Sequence, residues 1–377
     1  MGSGFGFIAF FIVKRIFKII GINLLILTLG LVLIESIFGG WFSEGNNLKN
    51  LSIIRDKKYA YQTDLYTEKP LTIQYSRDVY GIRGQGCFNK PEEIDILTIG
   101  GSTTDQRYIN DGETWQDVLE NQFSKDGRDV VVGNAGVDGQ STIGHIKNFE
   151  IWFPMIPRLR PKYVLFYIGI NDFYRIKDDS RFDAITDSAS ARLGGSNGFT
   201  ENLKDKSVLY NLLRKIRGWI RTQNNRIGHT KTDFSKLTYT YDGVASRRLY
   251  ELYEKNIAGF ENRLSVLMMH VREMGAIPIF VTQPGMMFKF DNKGKVMGVS
   301  DVYYMDGQPY NGVDFYHLLN KLNSVIRKKS GQESLFIDLT NLPIWANSDF
   351  YDLFHNTPNG AKKVGWEIYK YVKNKRF

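Results

Sequence analysis

Residues 95–104 read Asp-Ile-Leu-Thr-Ile-Gly-Gly-Ser-Thr-Thr, and this stretch is the best guide to the fold. An apolar run ends in two glycines and a serine, and polar residues that favour a helix follow. The pattern predicts a buried strand that turns tightly into a helix, because glycine tolerates backbone angles closed to other residues. Catalytic serines are often presented on such a turn, at the carboxyl edge of a sheet. Ser102 is therefore a candidate nucleophile, and a helix N-cap is the simpler alternative.

Four more apolar runs share the β-branched and aromatic composition of this first strand. The five runs are 94–99, 129–133, 163–168, 277–282 and 334–339. Enough chain for a helix separates each run from the next, and 245–274 reads as one long helix. This alternation predicts a parallel sheet with helices on both faces, an α/β fold. Ligands of such sheets bind beyond the carboxyl ends of the strands.

The N-terminus predicts a membrane anchor over residues 1–42. Between Ile19 and Phe42 the one ionisable residue is Glu35, and this apolar run is long enough to span a bilayer. Three basic residues precede the run, which favours a cytoplasmic N-terminus and an exported C-terminus. A cleaved signal peptide is the alternative, but the run is long and no small-x-small cleavage site follows closely.

The rest of the chain divides into a linker and lead-in at 43–90 and an α/β domain at 91–377. That domain has an insertion at about 175–245, where 207–221 reads as an amphipathic helix that either touches the membrane or packs on the domain. The formal net charge of +9 favours anionic partners, but export argues against nucleic acid. The single cysteine, Cys87, permits no internal disulfide.

Three further polar segments follow predicted strands: Asn134–Thr142, Gly169–Asp172 and Asp352–His355. A histidine can deprotonate a serine hydroxyl, and an aspartate three residues before it can orient the imidazole. Backbone N–H groups and the Asn171 amide can stabilise the oxyanion of an acyl-transfer reaction. The remaining histidines, including His145 and His229, have no partner pattern and are expected to be structural or exposed. No motif indicates a metal site or a cofactor.

These four segments resemble the defining blocks of the SGNH hydrolase superfamily, also called GDSL-type esterases. The resemblance implies that Ser102 is the nucleophile and that Asp352 and His355 complete the triad. It also implies an oxyanion hole formed by Ser102, Gly139 and Asn171. The implied fold is a flavodoxin-like, three-layer α/β/α sandwich with a five-stranded parallel sheet, and no cofactor is implied.

The resemblance covers roughly residues 75–377, without the anchor and without the 175–245 insertion. The sequence departs from the family pattern at two positions. Gly101 stands where the name-giving pattern has aspartate, and Asn356 follows the histidine where proline is common. Neither departure removes a catalytic group.

The expected function is that of a membrane-anchored serine esterase, with its catalytic domain periplasmic or extracellular. Its expected substrate is an O-acylated, in the first place O-acetylated, cell-surface polysaccharide, and envelope polysaccharide machinery is a possible partner. Three alternatives use the same fold. They are an O-acetyltransferase acting on an envelope glycan, a lipid esterase, and a non-catalytic glycan-binding scaffold.

Overall fold

The five apolar runs of the sequence form one parallel sheet in the computed structural model of the chain. The structure describes residues 3–39, 48, 51–175, 183, 207–210, 212–213, 229–331 and 334–376. The chain divides into two units. One consists of Met1–Asn46 with Asp187–Ile227, and the other of Asn47–Thr186 with Gly228–Phe377.

In chain order, the strands of the described residues are β1 Lys57–Thr63, β2 Leu71–Arg77, β3 Ile96–Gly100, β4 Val132–Asn134, β5 Tyr163–Ile168, β6 Tyr239–Thr240, β7 Ile277–Thr282, β8 Phe288–Phe290, β9 Val296–Val299, β10 Tyr303–Met305, β11 Gln308–Tyr310 and β12 Leu335–Ile337. The α-helices with assigned bounds are α1 Ser3–Phe38, α2 Ser102–Asp105, α3 Trp115–Lys125, α4 Thr142–Lys147, α5 Ile170–Phe173, α6 Arg247–Glu273, α7 Gly312–Ser330 and α8 Pro358–Val372.

The parallel sheet has the strand order β12-β7-β5-β3-β4. Its first strand in the chain, β3, therefore lies between the second and the third, which is the flavodoxin-like order. All residues of β3 and β5 are buried, as expected for strands covered on both faces. The predicted α/β fold is confirmed.

Alternate residues of the same strands enter two separate hydrophobic cores. Leu97, Ile99 and Phe166 belong to the core that includes the buried faces of α6 and α7. Their neighbours Ile96 and Leu165 belong to the core that includes α3 and α8. Successive side chains of a strand point to opposite faces, so helices cover the sheet on both sides. This gives the three-layer sandwich.

Side-chain caps determine where several of these helices begin. Thr114 and Asp117 form a capping box at the start of α3, and Asn311 and Asp314 form another at the start of α7. Ser246 caps α6, and its oxygen accepts a hydrogen bond from the backbone N–H of Leu249. Helix α6, predicted over 245–274, is found at Arg247–Glu273.

The lead-in predicted at 43–90 contains regular structure. Strands β1 and β2 pair as an antiparallel hairpin, and residues from Asn47 onward belong to the same unit as the parallel sheet. Arg77, at the end of β2, is buried and forms an ion pair with Asp105. Asp183, within the predicted insertion at about 175–245, is buried and belongs to the unit of the sheet.

The unit formed by Met1–Asn46 and Asp187–Ile227 contains the long helix α1. Its segment Phe17–Phe38 is long and apolar enough to cross a membrane, a test that signal sequences also pass. The Glu35 carboxylate accepts hydrogen bonds of 3.0 Å from the backbone N–H groups of Val208 and Leu209. Glu35 therefore caps the start of the helix predicted over 207–221, and most of that helix lies outside the described residues.

Candidate active site

The turn that carries Ser102 is tight because two glycines make room for it. Ser102 begins α2 directly after β3 and Gly101. A Cβ atom on Gly100 would lie 2.1 Å from Oγ1 of Thr104, and one on Gly101 would lie 2.1 Å from Nδ2 of Asn171. Gly101 has a φ of −87°, which any residue adopts. Close packing, and not a special φ angle, therefore requires glycine at position 101.

The predicted serine, histidine and aspartate form a continuous hydrogen-bonded chain. Nε2 of His355 lies 2.7 Å from Oγ of Ser102. Nδ1 of the same ring lies 2.7 Å from Oδ2 of Asp352. All three side chains are partly exposed at the carboxyl edge of the sheet. A hydroxyl at this distance from an imidazole nitrogen can transfer its proton to the ring.

The carboxylate of Asp352 is held in its charged form. Burial favours the neutral acid, but hydrogen bonds from His355 and from the backbone outweigh burial and lower the pKa of Asp352. Oδ1 accepts from the backbone N–H groups of Phe354 and His355, at 2.8 and 2.7 Å. An aspartate so fixed can orient the imidazole and stabilise its protonated form.

The candidate oxyanion donors converge beside Ser102. Nδ2 of Asn171 donates to the backbone oxygen of Gln140 at 2.7 Å and fills the space that a side chain on Gly101 would need. Gly139 precedes Gln140 in the loop after β4 and has a φ of +75°, which favours glycine. The structure therefore brings Ser102, Asn171 and the Gly139 loop together at one edge of the sheet.

Two buried aspartates hold the loop after β4, and sequence reasoning gave neither of them this role. Asp172 accepts from the backbone N–H of Thr142 at 3.1 Å, and burial raises its pKa to about 6. Asp183 accepts from the backbone N–H groups of Ser141 and Gly144, at 2.7 and 3.1 Å.

Arg175 pairs with Asp183 at 3.1 Å and donates to the backbone oxygen of Gly139 at 3.0 Å. The Gly139 turn is thus fixed by charged groups on two sides.

Gln283 is a further positioning residue that the sequence did not reveal. It is buried directly after β7, where its Oε1 accepts from the backbone N–H of Ile170 at 2.7 Å. Its Nε2 donates to Oγ1 of Thr103 at 2.5 Å. One amide therefore connects the turn of the serine with the segment that carries Asn171. The signal available in the sequence was a polar residue immediately after a predicted strand.

His229, for which the sequence gave no partner pattern, lies against the triad. Its ring centroid is 4.0 Å from that of His355. Burial, followed by the neighbouring charge of His355, lowers the pKa of His229 to about 3. Ligand atoms of His229, Asp352 and His355 lie within 4.8 Å of one another, a spacing that could hold a metal ion. Both Asp352 and His355 already use such atoms within the triad.

Comparison with protein families agrees with this geometry. Residues 98–363 match the model of the GDSL-like lipase/acylhydrolase family. The chain belongs to this family. It is therefore a GDSL-type serine esterase, and the recognised resemblance to SGNH hydrolases is confirmed. No curated protein matches the chain.

Several solved structures of low sequence identity are similar to this GDSL-type esterase. The psychrotrophic esterase EstA from Pseudoalteromonas is 12% identical with a TM-score of 0.36, and the match covers 74% of this chain and 97% of EstA. A G-D-S-L lipolytic protein from Veillonella parvula is 13% identical with a TM-score of 0.39, at coverages of 74% and 99%. An acetyl-xylooligosaccharide esterase from Geobacillus is 11% identical with a TM-score of 0.40, at coverages of 74% and 93%.

Proposed function

We propose that this GDSL-type esterase is anchored in a membrane and removes O-acyl groups from a cell-surface polysaccharide. The acyl group that we favour is O-acetyl. The observation that supports the chemistry is the unbroken chain of hydrogen bonds from Ser102 through His355 to Asp352. The polysaccharide and the membrane are inferences from the apolar helix, its basic N-terminal flank and the exported topology that they predict.

The reaction begins when His355 takes the proton of Ser102 and the serine oxygen attacks the ester carbonyl. Asp352 stabilises the imidazolium that forms. Collapse of the tetrahedral intermediate breaks the bond to the alcohol, and His355 returns the proton to the departing oxygen. A water molecule, deprotonated by the same imidazole, then hydrolyses the acyl-enzyme to release the carboxylic acid and regenerate Ser102.

The negative oxygen of each tetrahedral intermediate needs fixed hydrogen-bond donors. We assign this role to the backbone N–H groups of Ser102 and Gly139 and to the side-chain amide of Asn171. Such donors stabilise the transition state most when they are held in place before the reaction. Asn171 donates to the backbone oxygen of Gln140 in this loop and Arg175 to that of Gly139, and these contacts supply that rigidity.

Acetate release from an O-acetylated polysaccharide tests the proposal. The full chain in detergent should release acetate, and the Ser102→Ala variant should release none above the uncatalysed rate. Equal release by the two proteins would show that Ser102 is not the nucleophile. The absence of release from every acetylated polysaccharide, with retained hydrolysis of a small ester, would reject the glycan substrate and leave the esterase chemistry in place.

Hydrolysis and transfer use the same acyl-enzyme, so the products must distinguish them. The protein is incubated with an activated acetyl ester and a polysaccharide that carries no acetyl groups. Free acetate alone supports the esterase. Acetylated polysaccharide would instead identify an O-acetyltransferase.

A fusion of alkaline phosphatase to the C-terminus tests the location, because this reporter folds actively only after export. We expect an active fusion that remains with the membrane fraction. A soluble active fusion would indicate a cleaved signal sequence, and an inactive one would contradict the orientation.

A further inference from the structure

The direction of proton transfer determines where the alcohol part of an ester lies. His355 delivers the proton to the departing oxygen through Nε2, so the alcohol must leave from the side of the site that His355 occupies. The carbonyl oxygen faces the donors near Gly139 and Asn171 instead. Residues packed around His355 therefore contact the alcohol, and residues near Asn171 contact the carbonyl.

The side of His355 is lined by aromatic rings. The ring of Tyr351 is stacked on that of His355, with centroids 5.6 Å apart. Tyr108 lies 5.0 Å from His229, and Tyr66 lies 6.2 Å from Tyr351 between ring centroids. We call Tyr66, Tyr108, His229 and Tyr351 the aromatic wall.

The aromatic wall is both accessible and rigid. Tyr351 is buried, but Tyr66, Tyr108 and His229 are partly exposed, so their side chains can contact a ligand. The hydroxyl of Tyr66 donates to the backbone oxygen of Tyr108 at 2.8 Å. The backbone N–H of Tyr351 donates to the backbone oxygen of His355 at 3.0 Å. A ligand would thus meet surfaces that are already in place, which reduces the entropic cost of binding.

A charged pair lies beside this wall. Arg107 immediately precedes Tyr108, and its guanidinium lies 3.5 Å from the carboxylate of Asp138. Their side chains are 35% and 33% exposed, so both can still contact a ligand. The charge of Arg107 acts on the pKa of His229, and the charge of His355 acts on that of Asp138, which places the pair next to the wall.

Aromatic faces next to a guanidinium and a carboxylate match the surface of a sugar ring. The C–H face of a pyranose packs on an aromatic ring, and its hydroxyl groups need hydrogen-bond donors and acceptors at the edge. A fatty alcohol would exclude water from the charged pair without supplying hydrogen bonds in its place, which is costly. The chemistry therefore favours a sugar over a lipid.

We propose that the aromatic wall, with Arg107 and Asp138, is the subsite that binds the sugar ring whose O-acetyl group is removed. The inference rests on the proposed function and identifies which part of the protein selects the alcohol. It assigns the wall to recognition and leaves the chemical step to the triad.

The test compares acetates that share the acyl group and differ in the alcohol. The probes are an O-acetylated xylo-oligosaccharide, decyl acetate and ethyl acetate. In the full chain, Tyr108→Leu should raise KM for the sugar acetate about tenfold, with a much smaller change in kcat, because the wall binds ground state and transition state alike. The rise in KM for ethyl acetate should be clearly smaller. Tyr108→Phe, which keeps the ring, should restore the KM.

Tyr304→Leu is the matched control, because Tyr304 is 72% exposed on β10 and lies outside the wall. It should leave all three activities unchanged. If Tyr108→Leu lost equal activity on the sugar acetate and on ethyl acetate, or lost none, the inference would be overturned. Wild-type activity on the sugar acetate would still support the proposed function. A preference of the wild type for decyl acetate that Tyr108→Leu removes would assign the wall to a lipid alcohol and also overturn it.

A binding measurement separates the subsite from turnover. The Ser102→Ala variant should bind the acetylated xylo-oligosaccharide, and adding Tyr108→Leu should weaken this binding by about the same factor as the KM. Binding that depends on Tyr108, without turnover by the wild type, would support the subsite and reject the proposed esterase function on glycans. Binding that does not depend on Tyr108 would reject the subsite.

Discussion

The absence of a side chain on Gly101 determines where the Asn171 amide lies in the site. Nδ2 of Asn171 lies where a Cβ on residue 101 would be, so the two groups cannot coexist in this arrangement. The name-giving family pattern has aspartate at this position. In this chain the glycine gives the Asn171 amide access to the space beside Ser102. The departure from the pattern therefore has a structural reason.

Gly101→Ala should displace the Asn171 amide and remove the oxyanion donor that we assign to it. Loss of one such donor typically lowers kcat by about 10²- to 10³-fold. We expect a fall of this order in kcat for acetate release, with a smaller change in KM. Gly30→Ala is the control, because no atom lies within 4 Å of the added Cβ. A Gly101→Ala variant with wild-type kcat would show that Asn171 does not stabilise the transition state.

Asp352→Asn tests the orienting carboxylate. The amide would leave the ring near its position but would favour the wrong tautomer and would not stabilise the imidazolium. We expect kcat to fall on the order of 10³- to 10⁴-fold, with folding unaffected by circular dichroism. Retention of more than about a tenth of the wild-type kcat would contradict this role for the carboxylate.

At the scale of elements, the hairpin of β1 and β2 is tied to the helix that begins with Ser102. Arg77 lies 2.7 Å from Oδ1 of Asp105, and both side chains are almost fully buried. Burial opposes ionisation of Asp105, but Arg77, Arg107 and Arg83 outweigh it and lower its pKa. The hairpin therefore contributes the partner of a buried charge directly behind the nucleophile.

Arg77→Ala should destabilise the protein strongly, because Asp105 would remain buried without its principal partner. Removing one member of a buried ion pair costs about 3–5 kcal/mol. Urea unfolding of the full chain in detergent measures this cost. The control is Lys57→Ala on β1, whose side chain is exposed. A loss below about 1 kcal/mol for Arg77→Ala would mean that the pair contributes no more than a surface ion pair.

The elements that could be predicted from the sequence are those whose signal is local. All five parallel strands were found because each is a continuous apolar run, and α6 was found from its periodicity. The β1–β2 hairpin was not found because its residues are mostly polar and its burial depends on Arg77 pairing with Asp105. Short strands outside the parallel sheet, such as the two-residue strand β6, are too short to carry a local signal.

In the candidate site, too, the residues with a local sequence signal could be predicted and the others could not. Ser102, Asn171, Asp352 and His355 follow strands and carry recognisable spacing, so they could be named from the sequence. The position of His229 on the ring of His355 could not, because 126 positions separate them and no pattern connects them. Asp183 and Gln283 act through contacts with backbone groups, which leave no repeat in the sequence.

At the scale of the whole molecule, buried histidines make the fold sensitive to acid. His145 is buried on α4, where burial lowers its pKa from 6.5 to about 4. At pH values between these two pKa values, His145 is therefore protonated in the unfolded chain and neutral in the folded chain. Stability should be full above about pH 6.5 and should fall as the pH decreases toward about 4.

This contribution amounts to about 3 kcal/mol, since each unit of pKa corresponds to about 1.4 kcal/mol. The free energy of unfolding, measured in urea at several pH values, should decrease across this window. His145→Gln should reduce the slope, and His317→Gln, with an exposed side chain, should retain it. An unchanged slope in His145→Gln would refute the assignment.

The whole account depends on Ser102 being the nucleophile, and covalent labelling tests this most directly. The full chain is treated with a fluorophosphonate, which phosphonylates activated serines, and its peptides are analysed by mass spectrometry. We predict an adduct on the peptide that contains Ser102, formed far more slowly in a His355→Ala variant and absent from Ser102→Ala. An inactivated enzyme whose adduct lies on another residue, or a Ser102→Ala variant with wild-type ester hydrolysis, would contradict the account.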